Sequence, residues 1–199
     1  MPRWKDDPRG PYIRMHSGQK FYLKTPRDNE ISIPDLAYHL AGINRYTGGS
    51  RYTVAQHCVV AAQMAQRFYP DQRYLPAKML IHDAAEAYYS DMSSPLKALN
   101  PDYRALLQEA DLAIETKFDL TFLDDPMFKV VDERMWLTER LVVYPTKPAD
   151  FGEDVEGVTN EPFELNAEEL HHYFGAWGAR EAEEEWLLHR HSLLPWVRW

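Results

Sequence analysis

The stretch "LIHDAAEAYYSD", residues 80–91, places a histidine, an aspartate and a glutamate inside an apolar run that otherwise reads as helix from Ala77 to Ala87. An unpaired aspartate on such a helix would cost several kcal/mol of desolvation. A lone buried histidine is usually a hydrogen-bonded core residue. His82 and Asp83 together, with Glu86 on the same helical face one turn on, ask for a different explanation, and metal coordination is one of the few ways to keep the aspartate ionised there.

Adjacent helical residues point about 100° apart, so His82 and Asp83 can share an ion only if neighbouring helices supply further ligands. The preceding helix offers His57. That helix is expected from about Val54 to Phe68, opened by a capping box at Thr53-Val-Ala-Gln56, with His57 one turn inside it and facing the His82 helix across a short antiparallel connection. Nitrogen and oxygen ligands without thiolate suit Zn, Mn, Co, Fe or Ni better than Ca. Cys58, beside His57 but followed by Val59 and Val60, reads as a small core residue. A fourth ligand could come from Asp111 or Asp132, each of which lies on an apolar-faced helix of its own; periodicity alone does not choose between them.

Outward from this centre the chain reads as all-α, with five to seven helices. Ser32 caps a helix that carries Pro34 and stops near Gly42; "NRYTGGSRYT" is a turn-rich loop; Asn100-Pro101 opens a helix ending near Phe118; Pro126 begins another. A Pro/Gly/acidic loop is expected from Pro145 to Pro162, then a cap-like start at Asn166-Ala-Glu-Glu169 and an acidic, tryptophan-rich tail from Trp177 to Trp199 that forms a last helix plus an apolar end. Residues 1–30 read as an extended arm, with "QKFYLKT" as a short strand or hairpin. Residues 31–199 form the body.

The net charge of -9 over 199 residues disfavours a nucleic-acid polymer as partner. Residues 1–27 nevertheless carry seven Lys/Arg against two Asp/Glu, a local +5, so a small anion has cations within reach. No apolar run is long enough to span a bilayer, the first residues lack the apolar core of a secretory signal, and the one cysteine cannot form an internal disulfide. The expectation is a reducing cytoplasm, that of a host cell if the gene is carried by a phage.

Three segments carry a resemblance. "SGQKFYLKTPRDNEISIPDLAYHLAGINRYTGGSRYTVAQHCVVAA", "LIHDAAEAYYSDMSSPLK" and "FKVVDERMWLTER" resemble the HD-domain metal-dependent phosphohydrolases, within them the branch of 5'-deoxynucleotidases and phage deoxynucleoside triphosphate triphosphohydrolases. The resemblance covers roughly residues 17 to 142. It implies an HD-type helical domain over residues 31–199 and a metal set of His57, His82, Asp83 and Asp132, with Asp132 preferred to Asp111. It also implies Glu86 as the catalytic glutamate that orients or deprotonates water, Arg45 and Lys97 as phosphate-binding cations, Asp91 at the sugar hydroxyl, and Tyr46 against the sugar or base. Tyrosine stands at that last position where some nucleotidases of the branch have tryptophan.

The function implied is metal-dependent hydrolysis of deoxyribonucleotides. A triphosphohydrolase that releases deoxynucleoside and triphosphate, with a weaker preference for deoxyadenosine, is favoured, because the basic arm and Lys97 could receive the extra phosphates and a further Mg could accompany them. The alternatives are a 5'-deoxynucleotidase acting on monophosphates and a non-catalytic metal- and nucleotide-binding assembly protein. Di-iron and cyclic-dinucleotide branches use extra histidines between the His-Asp segment and the last aspartate; none occurs from Asp83 to Asp132. Relatives in this branch are commonly oligomeric, so a homo-oligomer is expected, with apolar tail residues such as Trp186 and Leu194 serving either a subunit contact or the core.

Overall fold

The structure, a computed structural model, describes residues 3–143 and 158–198. The described residues are helical almost throughout, as the sequence leads one to expect. The helices, in chain order, are α1 (Ile33–Gly42), α2 (Val54–Phe68), α3 (Leu75–Ile81), α4 (Glu86–Tyr89), α5 (Ser94–Leu99), α6 (Pro101–Phe118), α7 (Pro126–Val142), α8 (Ala167–Phe174) and α9 (Ala179–Leu193). No helix among the described residues is long and apolar enough to cross a membrane.

Helix α2 is the axis of the molecule. Every residue from Val54 to Ala65 except Gln63 is buried, as suits a helix that is apolar or small apart from Gln56 and His57, whose side chains are hydrogen-bonded. Ala55, Ala61, Ala62 and Ala65 let neighbouring backbones approach closely. Around α2 pack α1, α3, α7 and α9. The short turn between α2 and α3 makes them antiparallel neighbours, and α7 crosses both, so the three helices can direct side chains to one point. The last helix closes the core: Trp186 on α9 is fully buried, and its indole N–H donates to the carbonyl of Leu80 at 3.2 Å. Leu194 and Val197 are buried in the same chain, so these tail residues serve the core.

Two sequence expectations need correction. The helix read as continuous from Ala77 to Ala87 is broken: residues 82–85 form turns between α3 and α4. The amides of Ala84, Glu86 and Ala87 bond the carbonyls of Ile81, Asp83 and Ala84, three residues back, the tighter winding of a 3-10 helix. The Thr53 capping box is only half formed. The Thr53 hydroxyl accepts from the Gln56 amide at 3.1 Å, but the buried Gln56 side chain turns away to the carbonyls of Tyr173 and Gly175 and the amide of Trp177. It ties α2 to the α8–α9 connection instead of its own N-terminus. The box predicted at Asn166 is complete, and Ser32 and Asp125 cap α1 and α7.

Within residues 1–30, β1 (Tyr12–Arg14) and β2 (Lys20–Tyr22) form an antiparallel hairpin. Phe21 is fully buried and stacks on Tyr88 of α4 at 3.6 Å, while the Tyr89 hydroxyl donates to the carbonyl of Leu23 at 2.7 Å. The hairpin thus braces α4 from behind. The loop expected from Pro145 to Pro162 lies outside the described residues up to residue 157, as does Trp199.

Because Trp186 fills the core and satisfies the Leu80 carbonyl at the end of α3, Trp186→Ala should lose about 3–5 kcal/mol of stability, read as a lowered midpoint of urea unfolding. Trp186→Phe should recover most of the packing but leave the carbonyl unpaired. An unchanged midpoint in the alanine variant would make α9 a peripheral element.

Candidate metal centre and cleft

Four side chains predicted from sequence meet at one point. His57 comes from the first turn of α2, His82 and Asp83 from the tight turn after α3, and Asp132 from the second turn of α7. The Nε2 atoms of His57 and His82 are 3.1 Å apart. His57 Nε2 lies 3.7 Å from Asp83 Oδ2 and 3.7 Å from Asp132 Oδ1. His82 Nε2 lies 3.3 and 3.6 Å from the same two oxygens. Metal–nitrogen and metal–oxygen bonds of ~2.0–2.2 Å place cis ligands of an octahedral or tetrahedral ion roughly 2.8–3.6 Å from one another. The measured separations, 3.1–3.7 Å, lie at or just beyond those edges, so the donor set could hold a metal ion.

Asp111 is not in this group. It sits on α6 in a separate hollow with Arg104, Glu115 and Lys129, and burial followed by the Asp83 charge pushes its pKa up to about 7. Cys58 is closer to the centre than its reading as a plain core residue implies. It is buried, and its sulfur lies within 4.8 Å of ligand atoms of His82 and Asp83, which makes a second, overlapping group. The His57, His82 and Asp132 group needs no thiolate.

The tight winding has a chemical result. At three residues per turn, positions i and i+3 eclipse, so Asp83 and Glu86 stand one above the other, and the His82 ring is fixed by a 2.7 Å contact from Nδ1 to the Met79 carbonyl. That contact makes Nδ1 the donor and turns Nε2 toward the centre. Burial works against an imidazolium at His82, but Asp83 and Asp132 outweigh it and hold the pKa well above the ordinary histidine value. Burial opposes ionisation of Asp83 too, and His82, His57 and Arg45 overcome it, holding that carboxyl well below its usual range. Without an ion, a proton on His82 supplies the positive charge that the two aspartates require.

A cleft of about 480 Å³ opens over this centre, a size suited to a small ligand. Every other residue implicated by the sequence lines it: Arg45, Tyr46, Glu86, Asp91 and Lys97, beside Asp83 and Asp132. Arg45 reaches Asp83 Oδ2 at 3.1 Å. Lys97 donates to Glu86 Oε1 at 3.1 Å, while Glu86 Oε2 is buried with no hydrogen-bond partner among the described residues. Burial, then the charge of Asp83, pushes the Glu86 pKa up to about 8 in spite of Lys97.

Sequence reasoning missed three residues here, all on α7. Trp136 and Arg140 line the cleft, the Arg140 guanidinium lying 5.0 Å from the Trp136 ring centre. Glu139 is fully buried behind it. Their spacing of four, seven and eight residues from Asp132 puts them along the same side of the helix, a signal present in "DERMWLTER" once Asp132 is taken as a ligand. No described residue of the basic arm, by contrast, lines the cleft: Lys20 pairs with Asp7 at 2.7 Å and Arg9 with Glu30.

No family model matches the chain. An uncharacterized protein of Rhodobacter capsulatus is 33% identical over 114 residues, which cover 54% of this chain and 58% of that protein. The uncharacterized protein YfdR of Escherichia coli (strain K12) is 36% identical over 131 residues, 65% of this chain and 70% of YfdR. With that identity across more than two thirds of YfdR, the chain belongs to the YfdR family.

Proposed function

We propose that the protein is a metal-dependent hydrolase of deoxyribonucleotides that cleaves the ester bond between the 5'-oxygen and the adjoining phosphorus. The observation that carries this reading is Glu86: a buried carboxyl with one oxygen on Lys97 and the other unpartnered, at the wall of a cleft built over a two-histidine, two-aspartate centre. A buried, unsatisfied carboxylate oxygen is costly to stability, and such a cost is characteristic of catalytic positions.

His57, His82, Asp83 and Asp132 would hold the ion. When bound, a divalent ion supplies Lewis acidity toward a phosphoryl oxygen and lowers the pKa of water. The remaining steps belong to the chain. Arg45 and Lys97 bind and neutralise phosphoryl oxygens, Arg45 with a planar fork suited to a bidentate contact. Glu86 accepts a proton from the attacking water as its oxygen bonds to phosphorus, and passes that proton to the 5'-oxygen as its bond to phosphorus breaks. The products are a deoxynucleoside and the freed phosphate group. Tyr46, Trp136 and Asp91 form the wall for sugar and base.

Mono- and triphosphates share the bond to be broken and differ in the charge to be matched. With the arm's Lys20 and Arg9 engaged in the hairpin's own ion pairs, the cations lining the cleft are Arg45, Lys97 and Arg140. Among the described residues these three cations suit the smaller charge of a monophosphate. A triphosphate, the second reading, rests on Lys97 and Arg140.

Three outcomes follow for measurement. Incubating zinc-, cobalt- or manganese-loaded protein with deoxynucleoside mono- and triphosphates and ribose analogues should give deoxynucleoside plus orthophosphate, or deoxynucleoside plus intact triphosphate; chromatography separates the two. No product with any substrate and any of these ions overturns the proposal. Alanine at His57, His82, Asp83 or Asp132 should strip bound metal by elemental analysis, whereas Asp111→Ala should retain it. Glu86→Gln should keep fold and metal yet lose about 100-fold or more in kcat; near-normal turnover removes Glu86 from the chemistry.

A further inference from the structure

Glu139 occupies a position that the proposed reaction does not use. It is fully buried, 7 residues beyond Asp132 on α7, and its two oxygens face opposite halves of the site. Oε1 takes the Nδ1 side of His57 in a short contact. Oε2 accepts from the Tyr46 hydroxyl at 2.8 Å and stands 3.3 Å from Arg45 Nε, close enough for an ion pair although not aligned for a hydrogen bond. Burial disfavours the ionised form, but Arg45 and His57 outweigh it and hold the carboxyl below its ordinary range.

The Tyr46 side of this arrangement is a strained turn. Tyr46 and Thr47 both have left-handed backbones, φ 60° and 57°, before Gly48 at φ 78°. Left-handed geometry is uncommon for residues with a side chain and is an outlier for a β-branched threonine, costing on the order of 1–3 kcal/mol, so surrounding contacts must maintain it. The turn is closed at its base by the Asn44–Thr53 bridge and by the Arg45 amide on the Tyr52 carbonyl at 2.9 Å. At its tip, the Tyr46–Glu139 bond anchors it to the metal centre.

We infer that Glu139 is a positioning residue that couples ion binding at His57 to the seating of the Arg45–Tyr46 turn over the cleft. With Nδ1 of His57 held as a donor, Nε2 keeps its lone pair toward His82, Asp83 and Asp132; carboxylate partners of this kind fix ring orientation and raise ligand basicity. The same carboxylate fixes the Tyr46 ring. A disturbance on either side therefore reaches the other through one rigid group. This rests on the assignment of the centre as a metal site, and its consequence for nucleotide binding rests on the proposed function.

The test uses cobalt, whose visible spectrum reports coordination geometry without any turnover. In Glu139→Gln the amide oxygen can accept from His57 or from Tyr46 but not from both, so cobalt affinity should fall about 10–100-fold and the visible bands should shift. Tyr46→Phe removes only the hydroxyl on the far side of the carboxylate. It should also shift the cobalt bands and weaken cobalt binding severalfold in a protein that remains folded at the titration temperature, as its circular dichroism reads, although Tyr46 is no ligand. Wild-type cobalt affinity in Glu139→Gln overturns the inference. So do a spectrum and affinity identical to wild type in Tyr46→Phe, which also decides the matter if the Gln variant does not fold. Wild-type protein that binds no cobalt or zinc overturns it together with the metal assignment. If wild type binds cobalt but hydrolyses no nucleotide, the proposed function fails alone, and the two cobalt titrations still decide the coupling.

Discussion

Two ionised aspartates cannot crowd two buried imidazoles unless a positive charge stands between them. Asp83 Oδ2 and Asp132 Oδ1 both lie within 3.7 Å of His82 Nε2, an atom of a ring that is itself buried and poorly solvated. The requirement is met from several directions: a proton on His82, Arg45 on Asp83, and, in the proposed working state, an ion. Much of the surrounding architecture serves that constraint. Helix α2 is buried on nearly every side so that His57 arrives fixed, α7 is capped by Asp125 and anchored against α2 and α3, and α9 closes the side away from the cleft.

The break after α3 shows how local backbone geometry becomes chemistry. A regular helix through residues 77–87 would leave Asp83 and Glu86 offset by about 60°. The tighter turn eclipses them, so the carboxylate assigned to the ion and the carboxyl assigned to the proton stand one above the other. Ala84, Ala85 and Ala87 keep the turn clear, and the hairpin behind α4, through Phe21 on Tyr88, prevents it from relaxing outward.

Most of this was legible before the structure. Helix α2 begins and ends where its cap and periodicity put it, α6 and α7 start at the prolines that announce them, and the residues assigned to ligands, phosphate and sugar all reach one centre or its cleft. Periodicity could not detect the break at residues 82–85, because alanines and apolar residues suit an α-helix and a 3-10 turn alike. Nor could it choose between Asp111 and Asp132, since each follows an apolar stripe; only the crossing of α7 over α2 and α3 separates them. The Gln56 side chain defeats the capping rule because tertiary partners at Tyr173, Gly175 and Trp177 compete for it. Glu139 was hidden for a related reason: a buried glutamate between an apolar stripe and an arginine looks like a solvated helix position until its partners, 82 and 93 residues away, are brought to it.

The bond from Trp186 to Leu80 sets an order of events during synthesis. Every residue assigned to the centre lies before residue 141, yet the faces of α1, α2 and α3 that α9 covers stay bare until α9 (Ala179–Leu193) has been made. At a synthesis rate of about 5–20 residues per second, a nascent chain would carry a complete set of ligands on an unfinished core for several seconds. The stretch that seats the carbonyl just ahead of His82 is made after every residue assigned to the centre, so the centre acquires its rigidity only once α9 has followed them.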